Sequence, residues 1–245
     1  MSKDIDFEEL FRNISNVSFK EYWRSHFNEN ARKYNSLKKQ VDMTINGKEA
    51  PDEQVEYRVN AIVTNLKLTK TDIIFDGCCG NGLITKKISN FVKKVYAMDF
   101  SDELIAVAKS INNAPNIEYM VGDVTKIDYE HEFPHVNKFN FYSCVQYLTP
   151  DDLDELLRRL SRLTGITVYM SNIPDINKIW DFYNTPEKRE FFIRSVKEGR
   201  YHLGYWYDKT QIKSLSEKYG FRVNFLDIDK RINTAYYRFD VILYK

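Results

Sequence analysis

The chain has 245 residues, and its 36 lysines and arginines nearly balance its 35 aspartates and glutamates, for a formal net charge of +1. This balance argues against bulk nucleic acid as a partner, because non-specific binding to a polyphosphate uses an excess of Lys and Arg. A hydrophobic fraction of 43% with 29% charged residues is typical of a globular protein and excludes a wholly disordered or fibrous chain. Aromatic residues are abundant at 15%, whereas glycine is scarce at nine residues, so any cluster of glycines is informative.

The sequence shows no signal for targeting or membrane insertion. Its first residues lack the apolar core of a signal peptide, and no window approaches the roughly 18 to 20 apolar residues of a membrane span. Among three cysteines, Cys78 and Cys79 are adjacent, which gives poor disulfide geometry, and no CxxC pair suggests zinc. We therefore expect a cytoplasmic protein without a membrane span or a metal site.

Residues 1–66 are expected to form an N-terminal helical cap. Their apolar residues recur at helical spacing, and strand alternation is absent. The Asn46-Gly47 pair predicts a turn, and Pro51 followed by acidic residues is typical of the start of a helix, which would end near Leu66. The first part of the helical pattern is carried by Phe7, Leu10, Phe11, Tyr22, Trp23 and Phe27.

From residue 71 onward, short apolar runs alternate with helical stretches. Helices are predicted to begin near Gly82, Asp102 and Pro150, and a further helix to cover 211–219. This order is typical of an α/β fold with a doubly wound, Rossmann-like, mostly parallel seven-stranded sheet. We expect the domain to cover 67–245, with an aromatic insertion after strand five at about 175–207. The predicted strands are 73–76, 95–99, 117–123, 139–144, 166–171, 221–228 and 236–244.

A glycine cluster follows the first of these strands. Asp76 ends the strand, and the next residues read Gly77-Cys78-Cys79-Gly80-Asn81-Gly82 before a helix begins. Glycines at such a place let the backbone turn tightly and let a ligand approach it closely. Their spacing does not fit the dinucleotide fingerprint G-x-G-x-x-G, which disfavours a nicotinamide cofactor.

Two further acids, Asp99 and Asp123, end the next two predicted strands. In a parallel sheet the three carboxylates lie along one carboxyl edge, where such folds bind ligands. A carboxylate at Asp99 can accept both hydroxyls of a ribose. Capping of the following helix explains any one of these acids, but it explains the set of three poorly.

The acidic strand end and the glycine loop resemble the first motif, D/E-x-G-x-G-x-G, of the class I S-adenosylmethionine-dependent methyltransferases. Cys78 replaces the first loop glycine, which is similar to the D-x-C-C-G-x-G variant of this superfamily. The resemblance covers about residues 72–148 by motif and the remainder by element order. It implies S-adenosylmethionine as cofactor, S-adenosylhomocysteine as product, and an antiparallel last strand at 236–244.

The resemblance also implies roles for individual residues. Asp76 and the 77–82 loop would hold the methionine part of the cofactor, Asp99 the ribose, and Asp123 with the Val124 amide the adenine. The cofactor-binding residues expected are Gln40, Asp76, Gly77, Cys78, Gly80, Asn81, Gly82, Asp99, Phe100, Asp123, Val124 and Ser143.

Two segments outside these motifs complete the expected cofactor pocket. The fourth strand and residues 145–148 would line the cleft beside the reactive sulfur. Gln40-Val41-Asp42, just before the Asn46-Gly47 turn, would form an edge of the pocket, with Gln40 bonded to the methionine carboxylate.

Two observations argue against a metal site and against a nucleic-acid substrate. His131-Glu132-Phe133-Pro134-His135 matches H-E-x-x-H, but Pro134 inside the required helix costs on the order of 3 kcal/mol, and the neighbouring strands leave room only for a loop. The fourth strand is not followed by the Asn/Asp-Pro-Pro-Tyr signature that resembling amino-methyltransferases of nucleic acids carry. Together with the balanced charge, this favours a small-molecule acceptor over a nucleic acid.

Aromatic residues are concentrated after the fifth strand, where the resembling family inserts acceptor-binding elements. Aromatic walls with polar tips suit a sugar or a planar ligand, although a satellite hydrophobic cluster explains them equally well. The aromatic set is Trp180, Phe182, Tyr183, Phe191, Phe192, Tyr201, Tyr205, Trp206 and Tyr207. Basic residues in the same segment could meet a phosphate, although a solvated helix face explains them as well. The basic set is Lys188, Arg189, Arg194, Lys197 and Arg200.

A histidine in this insertion is the predicted catalytic base. His202 is the candidate, because a histidine near the cleft can take a proton from a hydroxyl at neutral pH, with a structural role as the alternative. His26 in the N-terminal helical region is the reserve candidate.

These observations predict an S-adenosylmethionine-dependent methyltransferase that acts on a small polar acceptor. The overall resemblance to bacterial methyltransferases of surface glycans favours a hydroxyl of a sugar, a sugar phosphate or a capsule or surface-glycan precursor. The alternatives are a small-metabolite N-methyltransferase, an NAD-dependent oxidoreductase and a non-catalytic methyltransferase-like scaffold. The sequence indicates no oligomeric state.

Overall fold

The computed structural model describes residues 16–245, and side chains from Ser18 onward. The predicted helical positions Phe7, Leu10 and Phe11 therefore lie outside the described residues. The described N-terminal part contains helices α1 (Asn16–Lys33), α2 (Leu37–Gln40) and α3 (Asp52–Asn65).

A short hairpin corrects the expectation that this part lacks strands. Strands β1 (Thr44–Ile45) and β2 (Lys48–Glu49) pair antiparallel around the predicted Asn46-Gly47 turn. Asn46 and Gly47 have φ angles of 50° and 75°. These left-handed conformations suit Asn-Gly and close a two-residue hairpin, which a search for longer alternating runs overlooks.

The main sheet has seven strands, which are β3 (Ile73–Gly77), β4 (Lys94–Asp99), β5 (Ile117–Val121), β6 (Lys138–Tyr142), β7 (Thr167–Pro174), β8 (Arg222–Leu226) and β9 (Arg238–Tyr244). Their order in the sheet is β5-β4-β3-β6-β7-β9-β8. Every neighbouring pair is parallel except the two pairs that involve β9, which runs antiparallel to both β7 and β8. The prediction of a Rossmann-like, mostly parallel seven-stranded sheet is confirmed.

The helices after β3 follow the alternation expected from the sequence. The Ser101 hydroxyl accepts a hydrogen bond from the Leu104 amide at the start of α5, and Thr149 and Asp152 form a capping box at the start of α7. The helices are α4 (Leu83–Ile88), α5 (Asp102–Ile111), α6 (Tyr129–Glu132), α7 (Pro150–Leu160), α8 (Ile179–Phe182), α9 (Pro186–Lys197) and α10 (Lys209–Lys218).

Several predicted boundaries are wrong at the carboxyl ends of strands. β5 ends at Val121 and β6 at Tyr142, so Asp123 and Cys144 lie in the turns that follow rather than in the strands. β7 continues to Pro174 instead of ending at residue 171, with a register shift between Met170 and Ile173. The strand signal fails there because backbone pairing, rather than side-chain type, decides where a parallel strand stops.

The H-E-x-x-H segment contains one helical turn instead of the expected loop. Helix α6 ends at Glu132, so His131 lies in it and His135 lies beyond it. His131 pairs with Asp128, its Nδ1 atom 2.9 Å from a carboxylate oxygen. In the described part of the chain, no group of three or more His, Cys, Asp or Glu residues is placed to hold a metal ion.

The core lies in two layers, one on each face of the sheet. Successive strand residues point to opposite faces, so the face with Phe75 belongs to the layer that includes α6, α7 and α10, and the face with Ile74 to the layer that includes α3, α4 and α5. Residues of the 175–207 segment form a separate cluster with Tyr237, centred on Tyr183, Phe192 and Trp206. No helix of the described residues is long and apolar enough to cross a membrane.

Candidate functional site

A cavity of about 1000 Å³ opens at the carboxyl edge of the parallel strands. Asp76 and Asp99, at the carboxyl ends of β3 and β4, and Asp123, just after the neighbouring β5, all line it. The expected residues that also line the cavity are Cys78, Gly80, Asn81, Phe100, Val124, Ser143, His26 and His202. The structure thus brings most of the predicted cofactor residues together with both candidate bases.

Asp76 is almost completely buried at the end of β3, with 3% of its surface exposed. One carboxylate oxygen accepts from the Thr85 hydroxyl of α4 at 2.6 Å, and the other accepts from the Asn140 amide of β6 at 2.7 Å. Burial raises the pKa of Asp76 to about 6, against the lowering effect of these two hydrogen bonds. These two hydrogen bonds thus do not offset the burial of the ionised carboxylate, and a ligand could supply further hydrogen-bond donors to it.

Asp99 is similarly buried at the end of β4, and it fixes the glycine loop. Its carboxylate accepts from the Gly80 amide at 2.8 Å and from the Ser101 amide at 2.9 Å. Burial raises the pKa of Asp99 to about 6 as well. Each carboxylate oxygen retains a lone pair, so this residue can still accept hydrogen bonds from a ligand.

Asp123 differs from the other two acids because helix α1 reaches it. Lys20 donates to Asp123 at 3.1 Å and to the Thr125 hydroxyl at 2.8 Å, and it forms an ion pair with Asp152 at 2.6 Å. Burial alone would raise the pKa of Asp123, but the Thr125 hydrogen bonds and the Lys20 charge outweigh it and hold that pKa below its usual value. This acid stays ionised at the cavity edge.

The glycine loop turns sharply, and only part of it faces the cavity. Cys78 and Gly80 have positive φ angles of 58° and 56° and line the cavity together with Asn81. Gly77 and Gly82 are not among the lining residues, and their lack of a side chain serves packing. A Cβ atom at Gly77 would come within 2.4 Å of the Phe141 ring, and one at Gly82 within 2.4 Å of the Tyr119 hydroxyl.

Gln40 contacts the glycine loop through Asn81, and it is not among the lining residues of the cavity. Its amide nitrogen donates to the carbonyl oxygens of Ala31 and Tyr34, and its amide oxygen accepts from Asn81 at 2.9 Å. The neighbouring Asp42 does line the cavity. In this structure the Gln40 amide is thus committed to positioning Asn81.

A disulfide that the sequence did not suggest joins two parts of the site. Cys78 of the loop is bonded to Cys144 after β6, with Cα atoms 5.5 Å apart and a sequence separation of 66 positions. The adjacent Cys79 remains a free thiol, and burial raises its pKa. The bond links the loop after β3 to the turn after β6, two neighbouring strands of the sheet.

The other half of the cavity is bounded by the insertion. Phe182, Tyr183 and Phe191 line it, whereas Phe192 and Trp206 pack in the cluster beneath. Of the basic residues in this segment, Lys188 lines the cavity. Gly204 anchors the segment, because with φ of 84° it lies so close to the Gln146 carbonyl that a Cβ atom would approach the oxygen to 2.2 Å.

His202 lies at the mouth of the cavity, exposed on one edge. Its Nδ1 atom is 2.9 Å from the Tyr183 hydroxyl, and the rings of Phe182 and Phe191 flank it at 6.2 and 5.5 Å between centroids. Desolvation by burial lowers the pKa of His202, against the opposing effect of the Asp42 charge. The imidazole is therefore neutral near pH 7, the state that a general base requires.

His26, the reserve candidate, belongs to a different arrangement. Its Nε2 atom is 2.7 Å from an Asp42 carboxylate oxygen and 3.1 Å from the Asn30 amide, and the same amide donates to Asp42 at 3.0 Å. The ring also contacts the Trp23 and Phe27 rings of α1. This histidine and carboxylate form a pair on the cavity wall next to α1.

Arg58, Asn172 and Arg238 are among the polar lining residues that the sequence reasoning missed. Asn172 lies at the register shift of β7 and has a φ angle of 63°. Its side-chain amide donates to the Ser143 hydroxyl, and its side-chain oxygen accepts from the Thr234 hydroxyl. The isolated positive φ and the bulge depend on strand pairing, for which the sequence carries no local signal.

Comparison with known proteins identifies similar domains. Residues 74–165 match a family described as "Methyltransferase domain". A putative RNA methyltransferase of Acanthamoeba polyphaga mimivirus is 37% identical over 65 residues, which is 25% of this chain and 17% of that protein. A malonyl-[acyl-carrier protein] O-methyltransferase of Bacillus anthracis is 29% identical over 84 residues, 34% of this chain and 29% of that protein. The chain thus spans less than a third of the length of these curated relatives.

A solved structure extends the likeness to nearly the whole chain. Magnesium protoporphyrin IX methyltransferase from Synechocystis PCC 6803, crystallised with bound SAH, superimposes with a TM-score of 0.62. The match covers 93% of this chain and 100% of that chain at 15% sequence identity. At this identity the likeness concerns the fold.

Proposed function

We propose that this chain transfers a methyl group from S-adenosylmethionine to a small polar acceptor. Residues 74–165 match a family described as "Methyltransferase domain", and the order of the strands in the main sheet agrees with the class I S-adenosylmethionine-dependent fold that the sequence predicts. The acceptor atom is a hydroxyl oxygen, and the acceptor class suggested by the sequence is a sugar, a sugar phosphate or a surface-glycan precursor. The names of its relatives cover RNA and acyl-carrier-protein acceptors, so they do not favour one class. A cytoplasmic location stays a prediction.

The observation that carries the proposal is the convergence of Asp76, Asp99 and Asp123 on one cavity at the carboxyl edge of the sheet. Ligands of open α/β sheets bind at this edge. Burial has raised the pKa of two of these acids to about 6. A ligand that carries an ammonium group and two ribose hydroxyls supplies the donors that both carboxylates lack.

The residues of the chain fit S-adenosylmethionine in number and kind. Asp99 would accept from the ribose hydroxyls and Asp76 from the ammonium group, with Gly80 and Asn81 holding the turn between them. Phe100 offers an aromatic face to the adenine, and Asp123 lies at the same end of the cavity. A volume of about 1000 Å³ is at the upper limit for ligand pockets, so it also leaves space for an acceptor.

When bound, S-adenosylmethionine supplies a methyl group already activated by a positive sulfur. The chain has to align the acceptor with it and exclude water, which contributes up to about 7 to 11 kcal/mol. Phe182, Tyr183 and Phe191 exclude water from the acceptor half. His202, neutral because its pKa is lowered, takes the proton from the acceptor hydroxyl.

Calorimetric titration with S-adenosylhomocysteine and with NAD tests the cofactor assignment. We expect the first to bind and the second not to bind. Asp99→Asn should weaken S-adenosylhomocysteine binding about 10- to 100-fold, since a hydrogen bond to a charged group contributes about 1.5 to 3 kcal/mol. Asp227→Asn, at an exposed carboxylate, is the matched control and should bind as the wild type does. NAD binding without S-adenosylhomocysteine binding would overturn the proposal.

Incubation with labelled methyl donor tests the reaction itself. The panel contains sugars, sugar phosphates, sugar nucleotides and small amines, so that O- and N-methylation are distinguished. Transfer to a hydroxyl acceptor supports the proposal, and transfer to amines alone supports an N-methyltransferase. Binding of S-adenosylhomocysteine with no transfer across the panel favours a non-catalytic scaffold.

A further inference from the structure

Two arginines line the acceptor half of the cavity although they are almost fully buried. Arg58 of α3 is 5% exposed, and Arg238, the first residue of β9, is 7% exposed. A buried charge is costly unless it is paired and hydrogen-bonded, so buried arginines normally contact a carboxylate.

The protein partners of both guanidinium groups are neutral. Arg58 donates from Nη1 to the backbone and side-chain oxygens of Gln54 at 2.7 and 3.1 Å, and from Nη2 to the Asn233 side chain at 2.7 Å. Arg238 donates from Nη1 to the Asn172 carbonyl, and its guanidinium lies 5.0 Å from the Tyr237 ring. Within residues 18–245, neither forms an ion pair, and the Nε atom of each has no partner.

One carboxylate lies near these arginines, and it is engaged elsewhere. Asp240 is buried, and its carboxylate oxygens accept hydrogen bonds from the Tyr169 hydroxyl and the backbone amide of Asn172. The charges of both arginines lower its pKa, but neither guanidinium is within ion-pair distance. Desolvation raises its pKa in spite of their charge. Two guanidinium groups thus lie near one carboxylate, and neither of them forms an ion pair with it.

The other acids that line the cavity contact other groups and form no ion pair with either arginine. Asp42 pairs with His26, and Asp123 pairs with Lys20. Asp76 and Asp99 lie at the cofactor loop and accept hydrogen bonds there. Glu187 is exposed in the first turn of α9, next to Lys188, at the mouth of the cavity.

The arginine site is connected to the place where strand β6 ends. The Asn172 carbonyl holds Arg238, and the Asn172 side chain bonds the Ser143 hydroxyl, directly after β6. Asn172 and Ser143 both have positive φ angles, 63° and 51°. Strained residues of this kind persist where surrounding structure holds them, often at binding sites. Arg238 and the end of β6 are thus connected through Asn172.

We propose that Arg58 and Arg238 bind an oxyanion, a carboxylate or a phosphate, of the methyl acceptor, so that the acceptors of this protein are small organic acids or phosphate esters. The inference rests on the proposed function for the identity of the ligand as acceptor. A guanidinium group binds either oxyanion through two parallel N–H donors. The Phe182, Tyr183 and Phe191 rings then contact the organic part of the same molecule.

Binding of three matched probes tests the proposal without a known acceptor. Phenyl phosphate, benzoate and the neutral benzamide are titrated into wild-type protein saturated with S-adenosylhomocysteine, at constant ionic strength. We expect one or both anions to bind at least tenfold more tightly than benzamide. Tighter phenyl phosphate indicates a phosphate ester, and tighter benzoate indicates a carboxylic acid. Equal binding of all three, or no binding of any, would overturn the inference.

Variants assign the effect to the two arginines. Arg58→Gln and Arg238→Gln should each weaken anion binding at least tenfold and leave S-adenosylhomocysteine affinity unchanged. Arg222→Gln, at an exposed arginine of β8, is the matched control and should retain anion binding. Anion binding that survives both cavity substitutions would contradict the assignment.

Two controls keep the outcomes separate. If a glutamine variant fails to fold, Arg58→Lys or Arg238→Lys retains the charge and loses the two-pronged geometry, and it should show an intermediate loss. Failure of the wild type to bind S-adenosylhomocysteine would refute the proposed function. Normal S-adenosylhomocysteine binding without a preference for anions would refute this inference alone.

Discussion

Asp76 and Asp99 combine almost complete burial with pKa values of about 6, well above the ordinary value of an aspartate. Each accepts two hydrogen bonds from the protein, which is enough to hold its geometry but not to offset desolvation. Both acids therefore change ionisation close to neutral pH. Their charge state links the stability of the fold to the binding of a ligand.

We expect the affinity for S-adenosylhomocysteine to rise at least tenfold between pH 5 and pH 7.5. The folded-state pKa of each acid exceeds its unfolded value, so the unliganded protein loses stability as the pH rises through about 6. A ligand that donates to the ionised carboxylates binds more tightly over the same interval. Calorimetry in buffers of equal ionic strength measures the effect, and Asp99→Asn should flatten it. A pH-independent affinity of the wild type would contradict the prediction.

His202→Ala should lower kcat about 100- to 10,000-fold, the usual contribution of a general base, and leave S-adenosylhomocysteine affinity unchanged. The measurement uses an acceptor identified by the labelled-methyl panel. His26→Ala is the comparison, because His26 also lines the cavity but is already paired with Asp42. Unchanged turnover in His202→Ala would remove this residue from the role. A loss confined to His26→Ala would transfer the role to the His26–Asp42 pair.

Among the elements, the insertion between β7 and α10 depends on one close backbone contact. The Tyr205 amide donates to the Gln146 carbonyl at 2.7 Å, and Gly204 passes beside the same carbonyl. Gln146 belongs to the turn after β6, next to the expected position of the reactive sulfur. This contact therefore helps to fix where Phe182, Tyr183 and Phe191 lie relative to the cofactor half.

Gly204→Ala should destabilise the protein more than Gly199→Ala does. Both glycines have left-handed φ angles, 84° and 71°, so each substitution costs about 1 to 2 kcal/mol for that conformation. At Gly204 the new Cβ atom would also meet the Gln146 oxygen at 2.2 Å, whereas at Gly199 the nearest atom is 3.9 Å away. Urea unfolding should show a loss of about 3 kcal/mol or more for Gly204→Ala. Equal losses in the two variants would contradict the importance of this contact.

The sequence predicts those site residues whose position follows from neighbouring residues in the chain, and it misses those that meet only through tertiary packing. Asp76, Asp99 and Asp123 follow short apolar strands and precede helices, so a parallel sheet necessarily brings them to one edge. Arg58, Asn172 and Arg238 come from three distant segments and meet only through tertiary packing. The bulge at Asn172 lies beyond the predicted end of its strand, and no residue type there indicates a bulge.

Over the whole molecule, one cavity is shared by parts of the chain that lie far apart in sequence. Helix α1 contributes Lys20 and Trp23, the hairpin contributes Thr44 to Gly47, and the insertion contributes its aromatic rings. The Phe19 and Tyr201 rings pack 4.8 Å apart between centroids and join α1 to the insertion. Any ligand in the cavity therefore touches most layers of the fold.

We expect S-adenosylhomocysteine at 100 times its Kd to raise the Tm of the whole chain in a single transition. A ligand at this excess stabilises the native state by about 2.7 kcal/mol. For a chain of this size, that corresponds to a rise of about 5 to 10 °C. Scanning calorimetry measures it, with NAD as the control ligand. Two separate transitions, only one of which moves, would show that α1 or the insertion unfolds independently of the site.

Strand β9 is the one strand of the main sheet that runs against its neighbours, and it enters the ligand edge at its first residue, Arg238. The connection before it, residues 227–237, consequently crosses the cavity and contributes Asn233, Thr234 and Tyr236. We expect exchanges of exposed residues in this connection, such as Tyr236, to leave the pairing of β9 intact. Acceptor preference can thus diversify through one surface loop, by evolution or by engineering, while the acids after β3, β4 and β5 keep their places.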